Sequence, residues 1–325
     1  MGCGDRRTVF PHSMIPAFQL SQSEAGGLAS RAALCHNGRT SPRKERKTCI
    51  EPAAGELLEP KADEKMETFM KILSIGNSFS HNAHTYFNEI AKAMEADLVL
   101  FNACIGGCTL ERHMRHADAY DKNRNDPEGS PYPVAKGCKI SLRECLKLKK
   151  WDVVTIQQAS PSSFKPETYH PHGDRLIAYI RRHAPQAEIV VHKTWAYRED
   201  HSFWGEKDLD TDRMYKRLSQ AYRDFCAENH FRMIPAGDAF QAARRSTKWG
   251  KPVFPKRKGG AIKRTLHADD AYHANGNGNY LLGCVWFDFF FGADARKITF
   301  VPAEVVPADA KILREIAHAV VAKSR

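Results

Sequence analysis

From about residue 70 onward, two patterns of apolar positions alternate along the chain. Short unbroken runs, such as Ile72, Leu73 and Ile75 in MKILSIGNSFS, end at glycine and small polar residues, the form of a strand buried on both faces. Longer segments repeat their apolar residues at helical spacing. The patterning predicts a strand over 70–75, a helix over 83–94, and a strand over 97–107 that closes on Gly106-Gly107. Residues 111–137, rich in Asn, Asp, Pro and Gly, read as loop with some helix. A helix over 141–149 precedes a strand over 151–157. Further along come a helix over 172–183, a strand over 188–192, a long amphipathic helix over 211–229, and a short strand and helix within 231–245. A basic loop over 248–268, a helix over 276–291, a strand over 297–302 and a helix over 307–322 complete the chain. Strands alternating with helices imply βαβ units with right-handed crossovers. The expected fold is one three-layer α/β domain with a central parallel sheet, and no internal repeat is visible.

Residues 1–65 lack this order. They mix Ser, Gly, Pro, Arg and Lys without a period, so the expectation is a disordered or weakly ordered extension ahead of a domain over 66–325. Met66 and Met70 stand just before the first strand and would also serve as starts. No charged segment followed by an apolar one resembles a secretory leader, and no apolar run reaches the length of a membrane span. The nine cysteines are an odd count, scattered without C-x-x-C spacing. That distribution suits buried thiols in a reducing compartment, with the cytoplasm as the expected location.

Composition changes this picture little. The chain of 325 residues is 42% hydrophobic and 27% charged, with a formal net charge of +11, enough apolar material for a sizeable core. The excess cations gather at 43–47, 147–150 and 248–264 and are interleaved with acids elsewhere. Without a basic-aromatic module they read as solvated surface, and no nucleic-acid partner is expected.

The candidate chemistry collects at predicted strand ends, where ligands bind in open α/β sheets. The first strand leads into Ser78, the second into Gly106 and Gly107, the third into Gln157 and Gln158. Much later, HADDAYHANGN places Asp270 three residues before His273. A serine nucleophile needs a base within hydrogen-bond reach and a group that orients the base. An Asp curling back onto a histidine three residues later would hold Nδ1–H and turn Nε2 outward. The developing oxyanion needs donors; the candidates are the Ser78 amide, Gly106 or Gly107, and an amide from Gln157 or Gln158. Each feature has a plain structural reading as well. Gly-Asn-Ser makes turns, Asp270 could cap the next helix, the glycines could serve packing, and the glutamines could be satisfied buried amides. The histidine pairs His81/His84, His113/His116 and His170/His172 raise metal-assisted hydrolysis, but no H-E-x-x-H pattern accompanies them. His267 is a second candidate base without an Asp three residues ahead. Trp195, Tyr197, Arg198 and Glu199 follow a strand and could wall or tune a pocket. A nucleotide-binding doubly wound domain would need G-x-G-x-x-G or a Walker lysine, and neither is present.

With these residues in view, the chain resembles the SGNH (GDSL-type) hydrolases across about residues 70–300. Gly76-Asn77-Ser78 stands where that superfamily has Gly-Asp-Ser, Gly106 or Gly107 where it has its second-block glycine, and Asp270-Ala-Tyr-His273 where it has Asp-x-x-His. Its third-block Gly-x-Asn-Asp is replaced by TIQQAS. GNSF, HKTWAYRED and IPAGDAFQAAR are similar to an uncharacterised bacterial branch of the superfamily. The resemblance implies a flavodoxin-like fold and cofactor-free ester hydrolysis through an acyl-enzyme, with Ser78 as nucleophile, His273 as base and Asp270 orienting it. It further implies a small-molecule or carbohydrate ester as substrate and Gln157 or Gln158 in the oxyanion role of the missing asparagine. The alternative is an α/β binding protein that keeps the cleft without turnover.

Overall fold

In a computed structural model of the chain, residues 69–202, 209–257 and 260–325 are described; the expectation for residues 1–65 falls outside them. Five strands, β1 (Phe69–Gly76), β2 (Asp97–Cys104), β3 (Val153–Ile156), β4 (Glu188–His192) and β5 (Arg232–Ile234), form one sheet in the order β2-β1-β3-β4-β5. Every pairing is parallel. This is the flavodoxin-like order, whose chain reverses direction across the sheet between β1 and β3. The three-layer α/β architecture expected from the alternating patterns is therefore the one observed.

The helices are α1 (Ser78–His84), α2 (Phe87–Ala93), α3 (Leu110–Lys122), α4 (Leu142–Lys147), α5 (His172–His183), α6 (Thr211–Asn229), α7 (Ala236–Arg245), α8 (Gly276–Phe291) and α9 (Pro307–Ser324). Right-handed crossovers running both ways from β1 put α1 and α2 on one face and α3 to α6 on the other. The first face is completed by α7, α8 and α9, with α8 packed against α1, α2 and α9. Buried residues run without a break from Tyr280 to Phe290 in α8, as required of a helix covered all round. In β1, Ile72, Leu73 and Ile75 are no more than 1% exposed, because β2 and β3 take both edges and helices take both faces. Ser74 interrupts the apolar run; its hydroxyl accepts from the Thr155 hydroxyl at 2.7 Å and lies 2.8 Å from His84 Nε2, so the buried polar atoms are satisfied.

Three elements depart from the pattern-based expectation. The first helix starts at Ser78, not at 83, because the Asn77 side chain accepts the Phe79 amide and caps it; a break at 85–86 then separates α1 from α2. Residues 110–122, expected to be mostly loop, form α3, with the Thr109 hydroxyl capping Arg112 N–H. The predicted strand 297–302 is not a strand. Its carbonyls go to side chains instead, Ile298 O to Arg314 and Phe300 O to the Tyr280 hydroxyl, which leaves no ladder for a sheet partner.

Candidate active site

Ser78 lies at the carboxyl end of β1, next to the point where the strand order reverses. It is the single residue between Ile72 and Ser80 that is not buried. Its neighbours in sequence are fully engaged. Ser80 donates to Asn77 O at 2.7 Å and meets Asn102 Oδ1 at 2.9 Å, and Ser74 is committed between Thr155 and His84. Of these hydroxyls, that of Ser78 meets a histidine held by a carboxylate. Its Oγ is 2.7 Å from His273 Nε2, and His273 Nδ1 is 2.7 Å from Asp270 Oδ2.

The loop that supplies this pair is tightly drawn. Leu266 O accepts the Asn275 amide and His273 O accepts the Ala268 amide, so residues 267 and 274 face each other across an antiparallel bridge. Within it, Asp270 Oδ1 accepts the backbone N–H groups of Tyr272 and His273. That leaves Oδ2 for the ring. Burial acts to raise the Asp270 carboxyl, but the His273 hydrogen bond and the two backbone amides outweigh it and hold its pKa below the usual carboxylate range. With Asp270 ionised, His273 carries its proton on Nδ1, and the Ser78 hydroxyl donates to Nε2.

Three side chains remote in sequence fix this loop. Arg198, 2% exposed, pairs with Asp200 at 2.6 Å and donates to His267 O and Ala268 O. Trp195 donates its indole N–H to Tyr272 O at 2.8 Å and stacks on Phe79 with centroids 4.1 Å apart. Asn82, one turn beyond Ser78 on α1, meets both backbone groups of Ala274, Oδ1 accepting N–H at 3.4 Å and Nδ2 donating to O at 3.3 Å. Helix α1, which carries Ser78, and the loop bearing His273 are thereby tied together immediately beside that histidine. The four residues 195 and 197–199, considered from sequence as able to wall or tune a pocket, thus divide. Trp195 and Arg198 hold the loop, the Tyr197 hydroxyl meets Ser160 Oγ, and Glu199 receives Arg244.

On the other side of Ser78, the turn after β2 presents Gly106 and Gly107, both exposed. Among the described residues neither amide N–H has a hydrogen-bond partner. Gly107 has φ of +62°, a left-handed conformation that glycine adopts without steric cost. The Ser78 amide, at the first position of α1, has no intrahelical partner either. The two glutamines part company here. Gln158 is spent on its surroundings: Oε1 accepts from Leu110 and Ala159, and Nε2 donates to Thr168. Gln157 instead places its amide next to the Ser78 turn, Nε2 donating to Asn77 Oδ1 at 2.8 Å, with a second N–H in hand. Gly76 has to be glycine for this approach, since a Cβ there would come within 3.1 Å of Gln157 Cδ and 2.7 Å of Ser80 Oγ.

Asn77 is the hub of the turn. Its Oδ1 accepts from Phe79 and Gln157 while Nδ2 donates to Cys108 O at 3.0 Å, joining the ends of β1, β2 and β3. Replacing it with aspartate would set a carboxylate oxygen against the Cys108 carbonyl, and Asn77→Asp is expected to lower unfolding stability by about 1–3 kcal/mol. A urea midpoint indistinguishable from wild type would show that the Cys108 contact carries no weight.

Several other histidines hold partners away from Ser78. His267 donates through Nε2 to Ala196 O at 2.9 Å, and burial lowers its pKa to about 4. His113 Nδ1 is 2.8 Å from the Tyr132 hydroxyl, His116 Nδ1 2.7 Å from Glu128 O, and His170 lies between Asp174 and Glu228. His81 sits near His273; burial, and then the His273 charge, depress its pKa. Among the described residues, Asp288, Asp294 and His318 bring ligand-type atoms within 4.8 Å of one another, but Arg325 and Arg296 already bind those carboxylates.

The fold is that of a flavodoxin-like α/β protein with a Ser-His-Asp constellation at its topological switch point. The model of the family described as "Domain of unknown function (DUF4886)" matches residues 71–320, and the chain belongs to that family. A DUF4886 family protein from Bacteroides uniformis ATCC 8492 is similar in structure, with 26% identity, a TM-score of 0.65, and coverage of 78% of this chain and 95% of that one. Weaker likenesses include a Slackia heliotrinireducens protein assigned provisionally to the SGNH hydrolases (20% identity, TM-score 0.45, 66% and 95% coverage). An acetyl xylan esterase is similar at 16% identity, TM-score 0.42, and 66% and 96% coverage. No protein of curated function matches the sequence. Among the described residues, no helix is long and apolar enough to cross a membrane.

Proposed function

We propose that this protein is a serine esterase of the SGNH type. The observation that carries the reading is the unbroken chain from Ser78 Oγ through His273 to Asp270, each link 2.7 Å, at the one accessible hydroxyl of the β1 turn. In the proposed reaction Ser78 Oγ attacks the ester carbonyl as its proton passes to His273 Nε2. Asp270 holds the resulting imidazolium by its Nδ1–H. The negative charge that develops on the carbonyl oxygen is received by the Ser78 amide and by Gly106 or Gly107. Gln157, rather than Gln158, takes the third donor position, since the Gln158 amide is committed to Thr168. Collapse of the tetrahedral intermediate returns the proton from His273 to the departing alcohol, and water repeats the sequence to free the acid. Small-molecule or carbohydrate esters are the substrate class that the superfamily resemblance favours.

The test is covalent labelling. Wild-type protein is expected to react with a fluorophosphonate probe and to hydrolyse a short-chain activated ester, with the label recovered on the peptide containing Ser78. A folded protein that is neither labelled nor active would sink the esterase reading and favour the non-catalytic binding protein.

A further inference from the structure

Immediately before the base-bearing loop the chain makes a hairpin that the proposed chemistry does not use. Val253 and Lys263 exchange both backbone hydrogen bonds, at 2.9 and 3.0 Å, so their side chains share one face of the hairpin. Between Lys248 and Arg264 the sequence contains no acidic residue. Lys251, Lys256, Arg257 and Lys263 are exposed, and among the described residues the last three form no ion pair. The apolar side is equally unusual. Four large hydrophobic side chains are exposed among the described residues, and two of them are neighbours here, Val253 at 45% and Phe254 at 41%. Apolar surface rimmed by charged residues is the form that interaction sites take.

We infer that this hairpin docks the protein onto an anionic lipid surface. A soluble polyanion would satisfy the lysines and Arg257 but leave Val253 and Phe254 in water. A bilayer interface takes both at once, with phosphate and other anionic headgroup charges at the cations and the apolar pair at the headgroup–acyl boundary. A nucleic acid would call for stacked aromatic platforms, and this hairpin has one exposed ring. The base of the hairpin is anchored where it matters. Lys263 runs on to Thr265, whose carbonyl accepts from Asn275 at 3.0 Å and whose hydroxyl meets Arg198 at 3.5 Å. The docking element and the loop bearing Asp270 and His273 are thus one continuous, braced segment, and docking brings the Ser78 site to the surface that holds the hairpin. The inference stands independently of the esterase reading, because its readout is binding.

The experiment is co-sedimentation of the full chain with phosphatidylcholine vesicles, with and without phosphatidylglycerol. Binding is expected with the anionic vesicles only, and it should be released when salt is raised from about 0.1 M to about 1 M. The double variant Val253→Ser/Phe254→Ser should bind anionic vesicles about tenfold more weakly or worse. The triple variant Lys256→Gln/Arg257→Gln/Lys263→Gln should not bind them. Both should retain the wild-type melting temperature and wild-type fluorophosphonate reactivity, since none of these side chains contacts the Ser78 site. Failure of wild-type protein to bind anionic vesicles would overturn the inference. So would equal binding to neutral vesicles, or an apolar double variant that binds as tightly as wild type. Tight binding to a soluble polyanion such as heparin or DNA in place of vesicles would assign the hairpin to a different partner and overturn it as well.

Discussion

Ser78→Ala is expected to reduce kcat for a short-chain activated ester by a factor on the order of 10⁴ to 10⁶, with KM little changed and the fluorophosphonate label lost. The size follows from what the hydroxyl does in the proposed reaction. Without Oγ there is no acyl-enzyme, and what remains is the catalysis available from oriented donors acting on bound ester and water. Stability should hardly move, because Ser78 is partly exposed and its one side-chain partner, His273, retains Asp270. The neighbouring serines behave in the opposite way. Ser80 bonds Asn77 O and Asn102 inside the turn, so Ser80→Ala should cost about 1–3 kcal/mol of stability while leaving the probe reaction intact. If Ser78→Ala kept even about one-hundredth of wild-type kcat in a preparation shown to be free of other esterases, the nucleophile would have to be sought elsewhere.

The second large effect is on stability in mild acid. His113, His192 and His267 are 0%, 0% and 4% exposed, and burial lowers the first two to a pKa of about 3 and the third to about 4. In the unfolded chain each would titrate near 6.5. Between those values the unfolded state binds protons that the folded state cannot, so their contribution is intact above about pH 6.5 and is lost as pH falls. At about 1.4 kcal/mol per unit and per group, each histidine costs about 3 kcal/mol by pH 4. The three together rival the whole stability of an ordinary domain. Thermal melts by circular dichroism should therefore show a steep loss of Tm between pH 6.5 and 4.5. The carboxylates held low, Asp270 among them, lose their contribution only below about pH 4, through a separate and lower window. A Tm that is flat from pH 6.5 to 4.5 would mean that these rings are reached by water or are charged in the folded state.

Much of the fold could be read from local pattern, and the failures have identifiable causes. The ranges 172–183, 188–192, 211–229 and 276–291 are the observed α5, β4, α6 and α8, because in each the periodicity is long or the run is bounded by turn residues. Residues 110–122 fall largely within 111–137, a stretch that its Asn, Asp, Pro and Gly mark as mostly loop. Yet Leu110, Met114 and Ala117 lie at helical spacing behind a capping Thr109, and all three are buried in α3. KITFVP has strand propensity and no strand partner; its carbonyls are claimed by Tyr280 and Arg314, which no local rule anticipates.

In the candidate site, Asp270 and His273 were visible because their relation is local, three residues apart within one loop. Which of the two glutamines faces the Ser78 turn was not visible. Gln157 and Gln158 are adjacent and alike, and alternation along the strand end sends one amide to Asn77 and the other to Thr168. Asn77 was noted only as the variant of an expected aspartate, although its place before a helix start is itself a capping signal. Asn82 carries no signal in a single sequence at all.

The sequence by itself determined the types of element, their alternation and hence a parallel α/β sheet, and it named Ser78, Asp270 and His273 by residue type and spacing. Those properties depend on backbone periodicity and on contacts within a few residues, which a linear pattern records. The tertiary structure alone decided that Ser78 is the one partly exposed hydroxyl of its turn, that the Gln158 amide is already occupied, and that Asn82, Trp195 and Arg198 brace the loop behind His273. These are choices of hydrogen-bond partner between residues as far as 195 positions apart. Such choices are settled only when packing removes water and leaves each buried polar group to the partners within reach.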